Sequence, residues 1–239
     1  MEFRLDIFLV KNNFADSREK AQKLIKENKV KVNGRVVNKP SKKIYESDSI
    51  EILEQEKYVS RAAYKLLKAL EYFNIDVHNK ICVDIGSSTG GFTQVLLEYG
   101  AKRVYSIDSG TNQLHNSLRN DTRIILMENT NARYLNKENF ENIDFFTCDV
   151  SFISVTKLID SIYNIVSKNA QGIVLIKPQF ELEPSKLVKG VVKNEIYRYE
   201  AVEKVKNAFI EKGFVVLGII ESPVRGKEGN IEYLIYLKK

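Results

Sequence analysis

Cysteine is scarce in this chain. Its 239 residues hold two, Cys82 and Cys148, each inside an apolar run. Two cysteines make no metal-ligand set, and a lone bridge would be out of place in a chain of this size. Both read as buried free thiols, and no metal is expected. Long apolar runs are missing as well. No stretch approaches the roughly 18 unbroken apolar residues of a membrane span. The opening MEFRLDIFLVKNNF is charged within its first six residues and has no secretory core. Nor is there a long cationic amphipathic helix of the kind that lies on a bilayer. These absences argue against a membrane partner and point to a cytoplasmic protein. Acid is in deficit, with 37 Lys and Arg against 31 Asp and Glu, and the formal net charge of +6 suits a polyanionic partner. Hydrophobic residues at 44% and charged residues at 28% describe an ordinary globular chain, long enough for a medium domain plus a small one.

Residues 1–55 have their own pattern. Leu5, Ile7, Phe8 and Leu9 start a short helix. Asp16 with Glu19 three residues on reads as a capping box, which opens a second helix through Asn28 with Ala21, Leu24 and Ile25 on its apolar face. In VKVNGRVV, two alternating runs flank Asn33-Gly34, a hairpin signal because both central residues must take positive φ. SIEIL adds a strand ending at Leu53. Between Arg18 and Lys43 stand ten Lys or Arg against two acids, an excess larger than that of the whole chain. The charge runs from helix into hairpin, so a basic patch for nucleic acid is expected. The candidate RNA-binding residues are Arg4, Arg18, Lys20, Lys23, Lys31 and Arg35, with Arg61 and Lys189 further along.

A linker over 56–60 follows, and Ser60 is expected to cap a helix from Arg61 to Phe73. From Lys80 onward apolar strands (ICVDI, RVYSI, RIILM, IDFFTCDV, GIVLIK, FVVLGII, IEYLIYL) alternate with helical stretches near 92–99, 112–118, 151–168 and 199–212. Such alternation predicts an α/β fold: a seven-stranded, mostly parallel sheet with helices on both faces and the last strand antiparallel. Ligands of such sheets bind beyond the carboxyl ends of the strands.

At the first of those ends stands CVDIGSSTGGF. A phosphate-binding P-loop needs lysine and a hydroxyl residue after its last glycine, but Phe92 and Thr93 follow Gly91. A dinucleotide turn needs G-x-G-x-x-G, and the glycines here fall at 86, 90 and 91. S-adenosyl-L-methionine fits better. It carries no phosphate, and its sulfonium would be repelled by lysine. Asp84 sets a carboxylate near that cation, Gly86 lets backbone approach the ligand, and Asp108 ends the second strand, where an acid accepts from ribose hydroxyls. Asn131, after the third strand, reads equally as an adenine contact or a turn residue. The candidate donor site is therefore Asp84, Gly86, Ser87, Ser88, Thr89, Gly90, Gly91, Phe92, Asp108 and Asn131.

The fourth strand ends TCDVSFIS. It has no Asn/Asp-Pro-Pro-aromatic run to clamp a planar amine. Cys148 alternates with Asp149 and should point away from a site that Asp149 faces. Lys177 ends the fifth strand in IKPQFE, Lys65 lies in SRAAYKL, and Glu232 in GNIEY begins the last strand. Two amines and two carboxylates meeting at one sheet edge would take the proton of a hydroxyl nucleophile, neighbouring lysines and burial favouring a neutral amine. Each of these residues alone reads as a surface charge.

The segments RLDIFLV, SREKAQKLI and VKVNGRVV resemble the S-four-type RNA-binding module. YVSRAAYKL, DIGSSTGGF, TNARYL, DVSFIS, IKPQFE, KGVV and GNIEY resemble, in order, the TlyA family of ribosomal RNA 2′-O-methyltransferases, whose catalytic domain is similar to the FtsJ type. The resemblance implies a small amino-terminal RNA-binding domain over 1–55 and a class I, Rossmann-like methyltransferase domain over 61–239. It implies S-adenosyl-L-methionine as donor and ribosomal RNA or a ribosomal subunit as partner. It puts Lys65, Asp149, Lys177 and Glu232 in the places of the family's catalytic set. The chain starts almost at RLDIFLV, as in the short form that modifies large-subunit RNA alone, and EKYV resembles the hinge between the two domains. One departure stands out: Ala62 and Ala63 replace two glycines usual in the family, which bears on how Lys65 docks. A ribosome-assembly factor with an inert catalytic half and a membrane-active hemolysin are the competing readings.

Overall fold

The computed structural model describes residues 2–53 and 57–239. Part of the expected linker, residues 54–56, lies outside the described residues. The chain divides into two units, Met1–Lys57 and Tyr58–Lys239.

In the first unit, β1 (Glu2–Arg4) leads into α1 (Leu5–Lys11) and then α2 (Arg18–Lys26). The α2 cap is Ser17, whose hydroxyl accepts from Lys20 N; Asp16, expected there, instead pairs with Lys20 Nζ at 2.9 Å. β2 (Val30–Val32) and β3 (Arg35–Val36) form the expected hairpin, with Asn33 and Gly34 at φ 50° and 76°. β5 (Ile50–Ile52) pairs with β2, and β4 (Lys43–Tyr45), unforeseen, pairs with β1. Leu5, Leu9, Ile25, Val30 and Ile44 are fully buried between helices and strands.

The second unit begins with α3 (Ala63–Tyr72). Ser60 gives it no side-chain cap, contrary to expectation: the helix starts at Ala63 after a turn in which Ala63 N reaches Ser60 O. The sheet follows from β6 (Ile81–Ile85), β7 (Arg103–Ile107), β8 (Ile124–Met127), β9 (Ile143–Cys148), β10 (Val166–Ile176), β11 (Val215–Glu221) and β12 (Tyr233–Lys238). Its order is β11-β12-β10-β9-β6-β7-β8, with β12 antiparallel to both neighbours. The chain runs outward from β6 to β8 and then returns to place β9 on the other side of β6. That reversal opens a crevice at the carboxyl ends of β6 and β9, where open α/β sheets bind ligands. α4 (Gly91–Glu98) packs with α3 on one face, around Leu66, Leu96 and Phe145. α5 (Ile159–Ile165) and α7 (Glu195–Lys212) cover the other, around Ile162, Phe146 and Phe209.

Three helix expectations need correction. Residues 112–118 are not helical, because the Glu128 carboxylate takes the backbone N–H groups of Asn112, Gln113 and Leu114 and holds them as a loop. The stretch expected over 151–168 yields only a short turn over 155–158, α5, and then strand from Val166, which pairs with Ile143. α7 starts four residues earlier than expected, because Asn194 caps it by accepting from Ile196 N.

Candidate functional site

Asp149, Gly86, Asp108 and Lys177 all follow directly on strand ends, so the sheet gathers them at one edge. Asp149 N donates to Ile85 O at 2.9 Å across the crevice. Gly86 stands at φ 80°, and a Cβ there would lie 2.5 Å from the Asp149 carbonyl oxygen. The turn after β6 therefore lies against the segment after β9 with no room for a side chain.

A cavity of about 570 Å³ opens here, lined by Gly86, Ser88, Asp108, Gln113, Asn131 and Asp149 among others. Asp108 Oδ2 accepts from Ser88 N at 2.8 Å and Oδ1 from Gly110 N at 2.7 Å. Asn131 lines the cavity while its Oδ1 accepts from Arg133 N at 3.1 Å, so it is a turn residue in the cavity wall. The lining has one cation, Arg133, against two carboxylates, Asp108 and Asp149. That balance suits a cationic sulfonium rather than a phosphate, and the volume is that of a small-molecule site. The residues fit S-adenosylmethionine.

Several candidate donor residues lie elsewhere. Asp84, expected beside the cation, is wholly buried beneath the turn, where Thr93 Oγ1 and Thr147 Oγ1 donate to its two oxygens at 2.7 and 2.8 Å. Burial pushes its pKa up to about 6. Ser87, Thr89, Gly90, Gly91 and Phe92 do not line the cavity either. Gly90 (φ 94°) packs under Leu114 and Leu118, Gly91 accommodates Ser60, Ala62 and Ala63, and Phe92 enters the core. Strand alternation had put Cys148 out of the crevice, and Cys148 is buried away from the cavity. Desolvation raises the Cys148 thiol above its usual range. Gln113, Ser109 and Thr130 at the cavity were missed, as they lie in loops without periodic signal.

A second cavity, about 360 Å³, is lined by Lys65, Lys177, Gln179, Arg61, Arg225 and Glu232, and it shares Ser151 and Phe152 with the first. Lys65 Nζ donates to Glu232 Oε2 at 2.7 Å and lies 3.7 Å from Asp149 Oδ2. Lys177 Nζ lies 2.5 Å from Asp149 Oδ1 as an ion pair and gives its hydrogen bond to Ser151 Oγ at 2.8 Å. Asp149 thus stands between the two amines. All four groups come from different elements, and Lys65, Lys177 and Glu232 are buried. Glu232 is brought in by register, because it precedes β12, whose Tyr233 pairs with Ile176 beside Lys177. Gly226 has no side chain to displace the Glu232 carboxylate it faces. Lys65 reaches Glu232 with Ala62 and Ala63 in place, and Gly91 packs its bare backbone against both alanines. Phe152, not foreseen, is 85% exposed at the junction of the two cavities.

Of the candidate RNA-binding residues, Arg4 and Arg18 both donate to the buried Asp6 at 3.0 Å; those bonds, that from Arg4 foremost, hold its carboxyl well below the usual range. Lys20 pairs with Asp16 and Lys31 with Glu51, while Lys23 and Arg35 are exposed on the same unit. Arg61 lines the second cavity, and Lys189 stands exposed in a turn at φ 51°. Tyr58, expected in the hinge, is buried in the second unit with its hydroxyl on Glu98 at 3.1 Å. Among the described residues no helix is long and apolar enough to cross a membrane.

The FtsJ-like methyltransferase profile matches residues 58–239, and the S4 domain profile matches residues 3–50. Hemolysin A of Brachyspira hyodysenteriae is 44% identical over 98% of both chains. The 16S/23S rRNA (cytidine-2′-O)-methyltransferase TlyA of Mycobacterium tuberculosis is 38% identical, over 98% of this chain and 89% of that protein. The 23S rRNA (cytidine-2′-O)-methyltransferase TlyA of Campylobacter jejuni is 38% identical, over 97% and 98%. A solved structure, of a candidate hemolysin from Streptococcus thermophilus, superposes with a TM-score of 0.79 at 38% identity, over 100% of this chain and 88% of that one. The chain belongs to the FtsJ-like methyltransferase family, in the hemolysin A/TlyA branch that joins this domain to an amino-terminal S4 domain.

Proposed function

We propose that this protein transfers the methyl group of S-adenosylmethionine to the ribose 2′-hydroxyl of a cytidine in ribosomal RNA. Large-subunit RNA is the favoured target, since it is common to the names of both TlyA relatives. The observation that carries the reading is the convergence of Lys65, Asp149, Lys177 and Glu232 on a cavity that abuts a donor-sized one. When bound, the donor supplies an electrophilic methyl on a sulfonium. The chain's own residues do the rest. Gly86 and Asp108 hold the donor, and Ser151 and Phe152 separate it from the second cavity, into which the ribose enters. Methyl transfer needs the hydroxyl oxygen in line with the methyl and stripped of its proton. One of the two amines takes that proton, and Asp149 and Glu232 balance the charge. Arg61 and Lys189 on the second unit, and Arg4, Arg18, Lys20, Lys23, Lys31 and Arg35 on the first, bind the RNA backbone.

The test is incubation with tritiated donor and ribosomal RNA, followed by nuclease mapping of the label. Label on a cytidine 2′-oxygen that vanishes in Lys177→Ala supports the reading. RNA bound by wild type without label would favour an assembly factor, and leakage of liposomes a membrane-active protein.

A further inference from the structure

Glu181 is a carboxylate that the reaction as described does not use, yet it is only 5% exposed and burial pushes its pKa up. It ends α6 (Pro178–Glu181), the short helix that follows Lys177. Its Oε2 accepts from Ser154 Oγ at 2.5 Å and its Oε1 from Val155 N at 2.8 Å, while its carbonyl oxygen takes Lys204 Nζ of α7. The segments leaving β9 and β10 are therefore tied at successive points. Lys177 meets Asp149 and Ser151, the Phe180 ring packs on Phe152 with centroids 5.4 Å apart, and Glu181 closes the series. Between the first and last ties lie Ser151 and Phe152, the residues that line both cavities. Phe152 stands at φ 65°, a left-handed conformation that a bulky residue leaves unless its surroundings hold it. A carboxylate is costly to bury unless it is hydrogen-bonded, and here its bonds go to the backbone and hydroxyl just beyond that strained residue.

We propose that Glu181 is a positioning residue: by clamping Ser154 and Val155 it holds Ser151 and Phe152 between the two cavities in the geometry that transfer requires. This rests on the methyltransferase reading above. A displacement of about 1 Å at such a point lowers a rate by up to a hundredfold.

The experiment compares the full chain with E181A and E181Q. In E181Q the amide oxygen still accepts from Val155 N, and the amide N–H donates to Ser154 Oγ, whose own proton turns to Thr156 Oγ1 at 2.7 Å. Hydrogen exchange is followed in peptides covering 150–156, and single-turnover methyl transfer to ribosomal RNA is measured beside RNA affinity. In E181A, exchange is expected to accelerate in that segment and the transfer rate to fall about tenfold to a hundredfold, with RNA affinity unchanged. E181Q should stay close to wild type in both. Faster exchange without slower transfer, or E181Q as slow as E181A, overturns the proposal. If E181A does not fold, E181D, which withdraws the carboxylate by one methylene, is measured in its place, and a wild-type rate there also overturns it. Failure of the wild-type chain to transfer any methyl group would reject the function instead. Unchanged exchange over 150–156 would reject the clamp by itself.

Discussion

Lys65→Met separates the stability of the buried charge cluster from its chemistry. The substitution keeps the apolar stem and removes the ammonium that lies 2.7 Å from Glu232 Oε2. Glu232 is 2% exposed, and among the described residues the other hydrogen bond to its carboxylate comes from Gln179 Nε2 at 3.5 Å, too long to compensate. Breaking a buried pair from one side costs about 3–5 kcal/mol, because the other charge stays buried and unpaired. For a unit of this size each kcal/mol moves the melting temperature by roughly 2–4 °C, so Lys65→Met should melt about 6–20 °C below wild type. Adding Glu232→Met removes the stranded charge and replaces the pair with apolar groups of similar volume, which is near neutral for stability. The double variant should therefore melt close to wild type, while both variants fail to transfer tritiated methyl to ribosomal RNA. Calorimetry on wild type, each single variant and the double variant gives the coupling energy. A double variant as unstable as Lys65→Met, or a single variant within about 1 kcal/mol of wild type, would show that Lys65 and Glu232 do not form the buried pair.

Three other outcomes follow from the same geometry. Gly86→Ala puts a Cβ 2.5 Å from the Asp149 carbonyl at φ 80°; left-handed backbone alone costs about 1–2 kcal/mol. Chemical denaturation should show at least that loss, with transfer reduced and RNA affinity intact, and wild-type turnover would contradict it. Asp84 has a folded pKa near 6, above its ordinary 3.8, so its contribution to stability is present in full below about pH 4 and is lost as pH rises to about 6. Asp84→Asn lacks this dependence, so its stability relative to wild type should gain about 2 kcal/mol between pH 4 and pH 6 and level off by about pH 7; a flat difference across urea melts at pH 4, 5, 6 and 7 would refute this. Arg35→Gln removes an exposed cation from the S4 unit, and the slope of log affinity for RNA against log salt should fall in magnitude by about 0.7–0.9; an unchanged slope would take Arg35 out of the RNA interface.

Legibility differed from residue to residue. The Asn33-Gly34 hairpin, the seven strands and the antiparallel last strand could be read from the chain, because turn chemistry and apolar runs are local signals. Helix boundaries failed wherever a distant carboxylate or cap intervened. Glu128 unwound 112–118, Glu181 tied down the segment after β9, and Asn194 advanced α7. The glycine turn was legible as a donor turn, but its parts were not. The same run supplies Gly86 and Ser88 to the cavity edge, and sends Gly90, Gly91 and Phe92 into packing.

By itself the sequence determined that two units exist, that one carries the basic excess, and that an α/β sheet ends in acids and a lysine at its strand termini. Composition, periodicity and short motifs carry that much, since each depends on neighbours along the chain. Only the tertiary structure decided that Asp149 lies between Lys65 and Lys177, that Glu232 reaches them from the start of an antiparallel strand, and that Asp84 sinks beneath the turn rather than facing the donor. Those facts depend on strand order and register, and register is set by pairing between segments that the linear pattern does not connect.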